Sequence, residues 1–416
     1  MARFTLFPGW NVVAGSAVGI AFGSVPMFAS GFGLLAASMA REFGWTQPQV
    51  QVAATLFLLL QTIAYPICGW PLDRIGSRKF AVASIAAFAV TLSSLSQIGN
   101  SLTGFYVAFA LIGILTAGTN VLPYARAIAL WFDRRRGIAL GIAASSQAVG
   151  SFLIPVLAQR TIASFGWSGA LLALAAFELV VCLSLVALLV KDSPAPYGLV
   201  HDEAAFSPNS AASIMLPPQK TLGEMVSTAT FWKLAISFAA MGMTFYAIAP
   251  NIVYILVKSA GMTPAQVAQV LTASGIAVLF GRIAIGYLLD KIHAPIVGAL
   301  TLILTACSAA TYALTANPIF ITLAAVAGGF AIGGETDLMP YLASRYFGAR
   351  AVPTIFGWFL FAFFMGATVA PLSFAKLSVA FGGASTPLFM LVGLQIVPLL
   401  LFLSLGRYPD AEQIVR

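Results

Sequence analysis

The sequence predicts an all-α membrane protein of twelve transmembrane helices, in two six-helix bundles related by a pseudo-two-fold axis along the membrane normal. Three observations predict it. Of 416 residues, 60% are hydrophobic and only 8% are charged, where a soluble chain carries about 25% charged residues. Twelve apolar runs follow one another, each close to the ~20 residues that cross a bilayer. Fragments of the first half also return in the second at a constant offset.

The runs are 10–35, 50–72, 79–98, 104–131, 137–159, 168–190, 230–257, 265–289, 295–315, 318–346, 352–375 and 386–406. Arg3 ahead of the first run mimics a signal peptide. That run is too long for one and eleven more follow, so an uncleaved first span is expected. The longest polar segment, 191–224, is rich in Pro, Ser and charge and divides the spans six and six. The expected organisation is an N-terminal bundle (1–190), a cytoplasmic linker (191–229) and a C-terminal bundle (230–416).

An even number of spans puts both termini on one side, and the basic residues decide which. Of 21 Lys and Arg, Arg126 and Arg282 lie within spans away from their ends, and Arg41, Arg160, Lys258 and Lys376 lie in one set of loops. The remaining 15 lie in the other set with the termini, which the positive-inside rule makes cytoplasmic. The net charge of +8 is read in this way and not as nucleic-acid affinity. A multi-pass position in a cell inner membrane is expected, with the lipid bilayer as partner and no nucleic acid.

The repeat is carried by four pairs. "GWTQPQV" at 44–50 matches "GMTPAQV" at 261–267, "GWPLDR" at 69–74 matches "GYLLDK" at 286–291, and "PY" at 123–124 matches "PY" at 340–341, all 217 positions apart. "FGW" at 165–167 and "FGG" at 381–383 differ by 216. Equal orientation in both halves makes a parallel repeat. That architecture places a ligand site near mid-membrane, served by alternating access.

Several chemistries are excluded. Cys68, Cys182 and Cys307 lie far apart in apolar segments, with no metal or disulfide spacing. His201 and His293 fall in polar loops, so no histidine serves catalysis within the membrane. No G-x4-G-K-[ST] loop is present. No enzyme, no metal, no cofactor and no ATP-driven pump is expected.

"GWPLDRIGSRKF" (69–80) supplies the gate candidates. Gly69 and Gly76 allow close helix approach and a tight turn. Asp73 can sit against a helix N-terminus, and Arg74 can pair with acids on a neighbour. The segment resembles the signature loop of the major facilitator superfamily, G-x-L-x-D-R-x-G-R-K. Gly69, Asp73, Arg74, Gly76, Arg78 and Lys79 fit it, and Ser77 departs from its first basic residue. Gly286 and Asp290 repeat it in the second half.

"LPYARAIALWFDRRRGIALGIA" (122–143), "PGW" (8–10), "REFGW" (41–45) and "ETDLMPYLASRYFG" (335–348) resemble the monocarboxylate-transporter branch of that superfamily. The resemblance runs end to end. It implies a secondary active transporter for a small organic anion, a monocarboxylate such as an aromatic or hydroxy acid, moved by symport with protons. It also implies that Arg282, in R-x3-G-x3-D with Gly286 and Asp290, holds the substrate carboxylate. Physical chemistry agrees, since a guanidinium fork in a low dielectric is the natural partner of a carboxylate. Arg282 lies eight residues from Asp290, about 12 Å along a helix, near the middle of its span. The competing reading is a structural arginine paired with Glu335 or Asp337. Arg126, seven residues from Asp133, is the weaker candidate for substrate.

The branch's mammalian members carry a lysine and an aspartate where this chain has Ala29 and Val278. Their proton-coupling pair is therefore absent. The in-span candidates are Glu178, Glu335 and Asp337, and the last two, being two apart, should face different ways on a helix. Thr116, Asn120 and Tyr124, spaced by four, should form one polar stripe on the fourth span. Asn251 and Tyr254 near the end of the seventh span, and Trp358 or Phe359 in the aromatic run 355–366, complete the candidate substrate contacts. Rival readings are proton-antiport efflux of amphipathic drugs, anion exchange without protons, and a sensor that binds without moving its ligand.

Overall fold

The computed structural model describes residues 7–194, 196 and 221–408. His201 and most of the expected linker 191–229 lie outside the described residues. Among the described residues every regular element is helical. Long segments cover Gly9–Phe43, Gln49–Ile75, Ser77–Leu95, Arg136–Leu189, Ala229–Val257, Ala265–Leu289, Ala294–Leu314, Pro318–Phe347, Ala349–Ala380 and Ser385–Leu403, with shorter apolar helices at Leu102–Leu115 and Val121–Trp131.

Among the described residues these supply twelve candidate crossings. The 54-residue segment Arg136–Leu189 would be about 80 Å long as one helix, against a hydrocarbon core of about 30 Å. It turns at Gly166, whose φ of 69° and ψ of 178° are not helical, and so supplies the fifth and sixth spans. Large apolar side chains such as Phe152 (72% exposed) and Val379 (83%) stand on the outer surface, as a lipid-facing surface requires.

The repeated fragments fold as repeated local structures. Thr46 and Gln49 form a capping box at the start of the second span, and Thr263 and Gln266 form one at the start of the eighth. The Thr46 and Thr263 backbone N–H groups donate to the glutamine side chains at 2.8 and 2.9 Å. Each box follows a glycine in left-handed geometry, Gly44 (φ 70°) and Gly261 (φ 63°), a conformation other residues adopt at a cost.

The fourth span corrects an expectation. It is two short helices, because residues Ala117–Thr119 form a 3-10 turn and Asn120 is extended (φ −103°, ψ −174°). Thr116, Asn120 and Tyr124 therefore do not share one helical stripe. The first span is interrupted too: Gly23 is extended (ψ 175°), and Met27–Gly31 is π-helical.

The chain forms two compact units, one of Met1–Arg134, Ile142–Ser207 and Val352–Gly357, the other of Arg135–Gly141, Pro208–Ala351 and Trp358–Arg416. The first has a core built around Phe57, Phe88, Phe105 and Leu171. The second has one around Leu256, Val270, Ile321 and Leu388. The opening turns of the fifth and eleventh spans thus belong each to a different unit from the rest of their helices.

Candidate substrate and gating sites

In the second unit the eighth and tenth spans approach through glycines. A methyl added at Gly329 would fall 2.5 Å from the Ser274 carbonyl, and one at Gly333 would fall on the Val278 carbonyl. This close packing brings Arg282 Nη1 to 3.8 Å from Asp337 Oδ1, with the side chains 12% and 2% exposed. At that separation the contact is an ion pair and not a hydrogen bond. Asp337 Oδ2 is buried and has no hydrogen-bond partner among the described residues. Glu335 turns the other way and accepts from the Thr305 hydroxyl at 3.1 Å on the ninth span. The two acids do face different neighbours.

The first unit holds the uncharged counterpart. Tyr65 stands 217 positions before Arg282, and Asn120 stands 217 before Asp337. The Asn120 amide donates to the Tyr65 hydroxyl at 3.4 Å. Glu335 likewise corresponds to Gly118. Arg282, Glu335 and Asp337 thus stand where the first half has the neutral residues Tyr65, Gly118 and Asn120.

Around that pair lies a polar cluster that sequence reasoning missed. The Ser24 N–H donates to Thr119 Oγ1 at 3.0 Å, and the Gln61 amide donates to Ser24 Oγ at 3.2 Å. Ser24 and Thr119 sit at the interruptions of the first and fourth spans. The signal was present in "FGSVP" (22–26) and "AGTNVLP" (117–123), since Gly/Pro-broken spans mark binding regions in repeat transporters.

Other candidates are placed less favourably. The Thr116 hydroxyl is committed to the Ile112 carbonyl at 2.6 Å. Tyr124 is fully buried, packed against Gly19. Glu178 is also buried, lying on a π-helical turn with the Cys182 thiol as hydrogen-bond donor. Asn251 donates to the Ala247 carbonyl at 2.9 Å, and Tyr254 is 42% exposed. Trp358 packs edge-on to Phe361 at 5.7 Å. Phe359 belongs to an aromatic core with Phe231 and Phe238.

The gate candidates form two matching devices. In the first unit, Asp73 Oδ2 accepts from Thr354 Oγ1 at 2.7 Å, and a methyl at Gly69 would lie 2.8 Å from Thr354 Cα. In the second, Asp290 accepts from the Gly137 and Ile138 N–H groups at 2.6 and 2.9 Å. A methyl at Gly286 would lie 2.5 Å from the Gly137 carbonyl. Gly137 and Thr354 are again 217 apart, so each Gly–Asp pair holds the start of the repeat-related helix. Each carboxylate meets the positive end of a helix dipole. Burial raises the Asp290 pKa above the ordinary carboxylate range, against the Ile138 and Gly137 N–H groups and the Arg345 and Arg136 charges, which pull it down.

Among the described residues Arg74 does not make the expected ion pair. It is exposed and stacks on Trp70, 3.9 Å from the ring centroid. Its place beside Asp73 goes to Arg126, whose Nε lies 3.9 Å from Asp73 and whose Nη1 lies 3.8 Å from Asp192. Arg126 thus lies against Asp73 and Asp192. Asp192 also sits over Gly76 (φ 86°) and accepts from the Arg78 N–H at 3.1 Å.

A family model of the Major Facilitator Superfamily matches residues 18–371 and 234–413. The chain belongs to the major facilitator superfamily. It is a multi-pass membrane transporter and not an enzyme. It resembles monocarboxylate transporter 13 of Rattus norvegicus, with 24% identity over 74% of this chain and 68% of the relative. It is 28% identical to monocarboxylate transporter 12 of the same organism over 53% of this chain, and there it spans about half the relative's length, 49%. Among solved structures it is similar in fold to the human organic anion transporter MFSD10, with a TM-score of 0.70 and 15% identity over 95% of this chain and 99% of that one.

Proposed function

We propose that this transporter moves a small organic anion bearing one carboxylate, in symport with protons. The observation that carries the reading is the Arg282–Asp337 pair at 3.8 Å, set where the first half has Tyr65 and Asn120. A long ion pair whose buried Asp337 Oδ2 accepts no hydrogen bond among the described residues is a poor structural brace. It is a good exchangeable one. When Asp337 takes a proton, Arg282 loses a counter-charge and can accept the substrate carboxylate in its place. Anion and proton then travel together. The likeness to proteins named monocarboxylate transporters supports the substrate class.

In this reading Glu335, held by Thr305 on the ninth span, tunes the site. Tyr65, Asn120, Ser24 and Gln61 supply neutral hydrogen bonds for the remainder of the anion. Glu178 is structural, because its neighbours are Tyr124 and Cys182. The two Gly–Asp devices latch the cytoplasmic side, with the termini cytoplasmic in a bacterial inner membrane. Rupture of both latches accompanies alternating access.

The test is uptake of labelled carboxylates into proteoliposomes, with and without a pH gradient. Wild type should accumulate the anion when the outside is acidic, and Arg282→Gln should lose at least tenfold of that uptake, about 1.4 kcal/mol of binding. Unchanged carboxylate uptake by the variant would remove the anchor role and favour efflux of amphipathic drugs. Uptake that needs Arg282 but ignores the gradient would favour anion exchange.

A further inference from the structure

The second unit contains a cavity of about 190 Å³ between its seventh, eighth, ninth and tenth spans. Its lining residues on the eighth and tenth spans precede charged residues in sequence. Val278 and Ile332 line it, and Arg282 lies four residues after Val278 while Asp337 lies five after Ile332. One helical turn therefore separates the chamber from the ion pair on both helices. Thr305 also lines the chamber and holds Glu335. Arg282, Asp337 and Glu335 thus each lie near a residue that lines the chamber.

The walls are mixed. Ile248, Ile252, Leu271 and Ala325 are apolar. Ser274, Ser308 and Tyr312 bring hydroxyls, with Ser308 and Tyr312 hydrogen-bonded to each other. An apolar cavity of about 150 Å³ holds a benzene molecule. A chamber of this size with hydroxyls on one wall fits a six-membered ring carrying a hydroxyl or oxo group. One helical turn is about 6 Å, the span of a two- or three-atom spacer between a ring and a carboxylate.

We infer that this chamber is a subsite for the ring of an arylalkanoic acid whose carboxylate is held at Arg282. The inference rests on the reading of Arg282 as the anion anchor. The glycines of the tenth span bring its backbone against the hydroxyl wall: a methyl at Gly328 would meet the Ser308 hydroxyl at 2.7 Å, and one at Gly329 the Ser274 hydroxyl at 2.8 Å.

The experiment is calorimetric titration of the purified full chain with propionate, 3-phenylpropionate and neutral 3-phenylpropanol. Wild type should bind phenylpropionate at least tenfold more tightly than propionate. Filling the chamber with Ser308→Leu, or with Ala325→Leu should the first fail to fold, should bring that ratio to within about twofold of one. Equal affinities for the two acids in wild type would overturn the subsite, as would a tenfold preference surviving in the filled variants. Phenylpropanol binding as tightly as the acid, with loss in the filled variants, would uphold the subsite and overturn the anion anchor. Phenylpropanol binding much more weakly supports both.

Discussion

Arg282 and Asp337 lie 3.8 Å apart on the eighth and tenth spans, in the position where the first half pairs Tyr65 with Asn120 at 3.4 Å. The scaffold is duplicated and the charge is not. A pair needed only to hold helices together could have been neutral in both halves. Confinement of the charge to one half fits a ligand that itself carries one charge.

Breaking the pair has a cost that identifies it. Arg282→Gln leaves Asp337 buried without its partner and should destabilise the protein by roughly 3–5 kcal/mol. Adding Asp337→Asn removes the stranded charge and should recover more than half of that loss. Melting temperatures of the two variants in detergent check this. A double variant no more stable than the single one would mean that the residues do not act as a pair.

The Asp290 latch should be separable from the site. Asp290→Ala removes a carboxylate that accepts two backbone N–H groups. A charge-assisted bond is worth about 1.5–3 kcal/mol, and less at this half-buried position. The variant should slow uptake several-fold while leaving the affinity for the carboxylate within about twofold. An affinity loss equal to that of Arg282→Gln would place Asp290 in the binding site instead.

His293 gives a pH signature outside the membrane-spanning segments. Its ring packs against Tyr408 at 4.6 Å, and burial lowers its pKa below the ordinary 6.5. The folded protein therefore binds this proton less readily than the unfolded chain. The resulting stability is present above the unfolded value and is lost as pH falls through the lower folded value. Between about pH 7.5 and about pH 5.5, His293→Asn should lose less melting temperature than wild type. Equal losses would dismiss the contribution.

The features legible in the sequence were those written in local spacing. The repeated fragments at 44–50 and 261–267 and the Gly–Asp loops are read within a few residues each, and Thr46–Gln49 and Thr263–Gln266 in those fragments fold as capping boxes. Long-range partners were not legible. Nothing near Asp73 indicates that Thr354 meets it, or that Arg126, 53 positions on, stands where Arg74 was expected. The stripe of Thr116, Asn120 and Tyr124 failed for a different reason. It assumed an unbroken 3.6-residue period, and the chain breaks that period at 116–120. Arg282 could be singled out as anomalous from its apolar surroundings. Its choice between Glu335 and Asp337 required the packing of the eighth span on the tenth.

The most direct test of the central claim is to count protons as the anion binds. Calorimetric titration of the wild type with a monocarboxylate, in buffers of different ionisation enthalpy, should show uptake of about one proton per anion bound. Asp337→Asn should bind the anion with none. Binding by the wild type without proton uptake, or the same uptake persisting in Asp337→Asn, would contradict the exchange of Asp337 for the substrate carboxylate at Arg282.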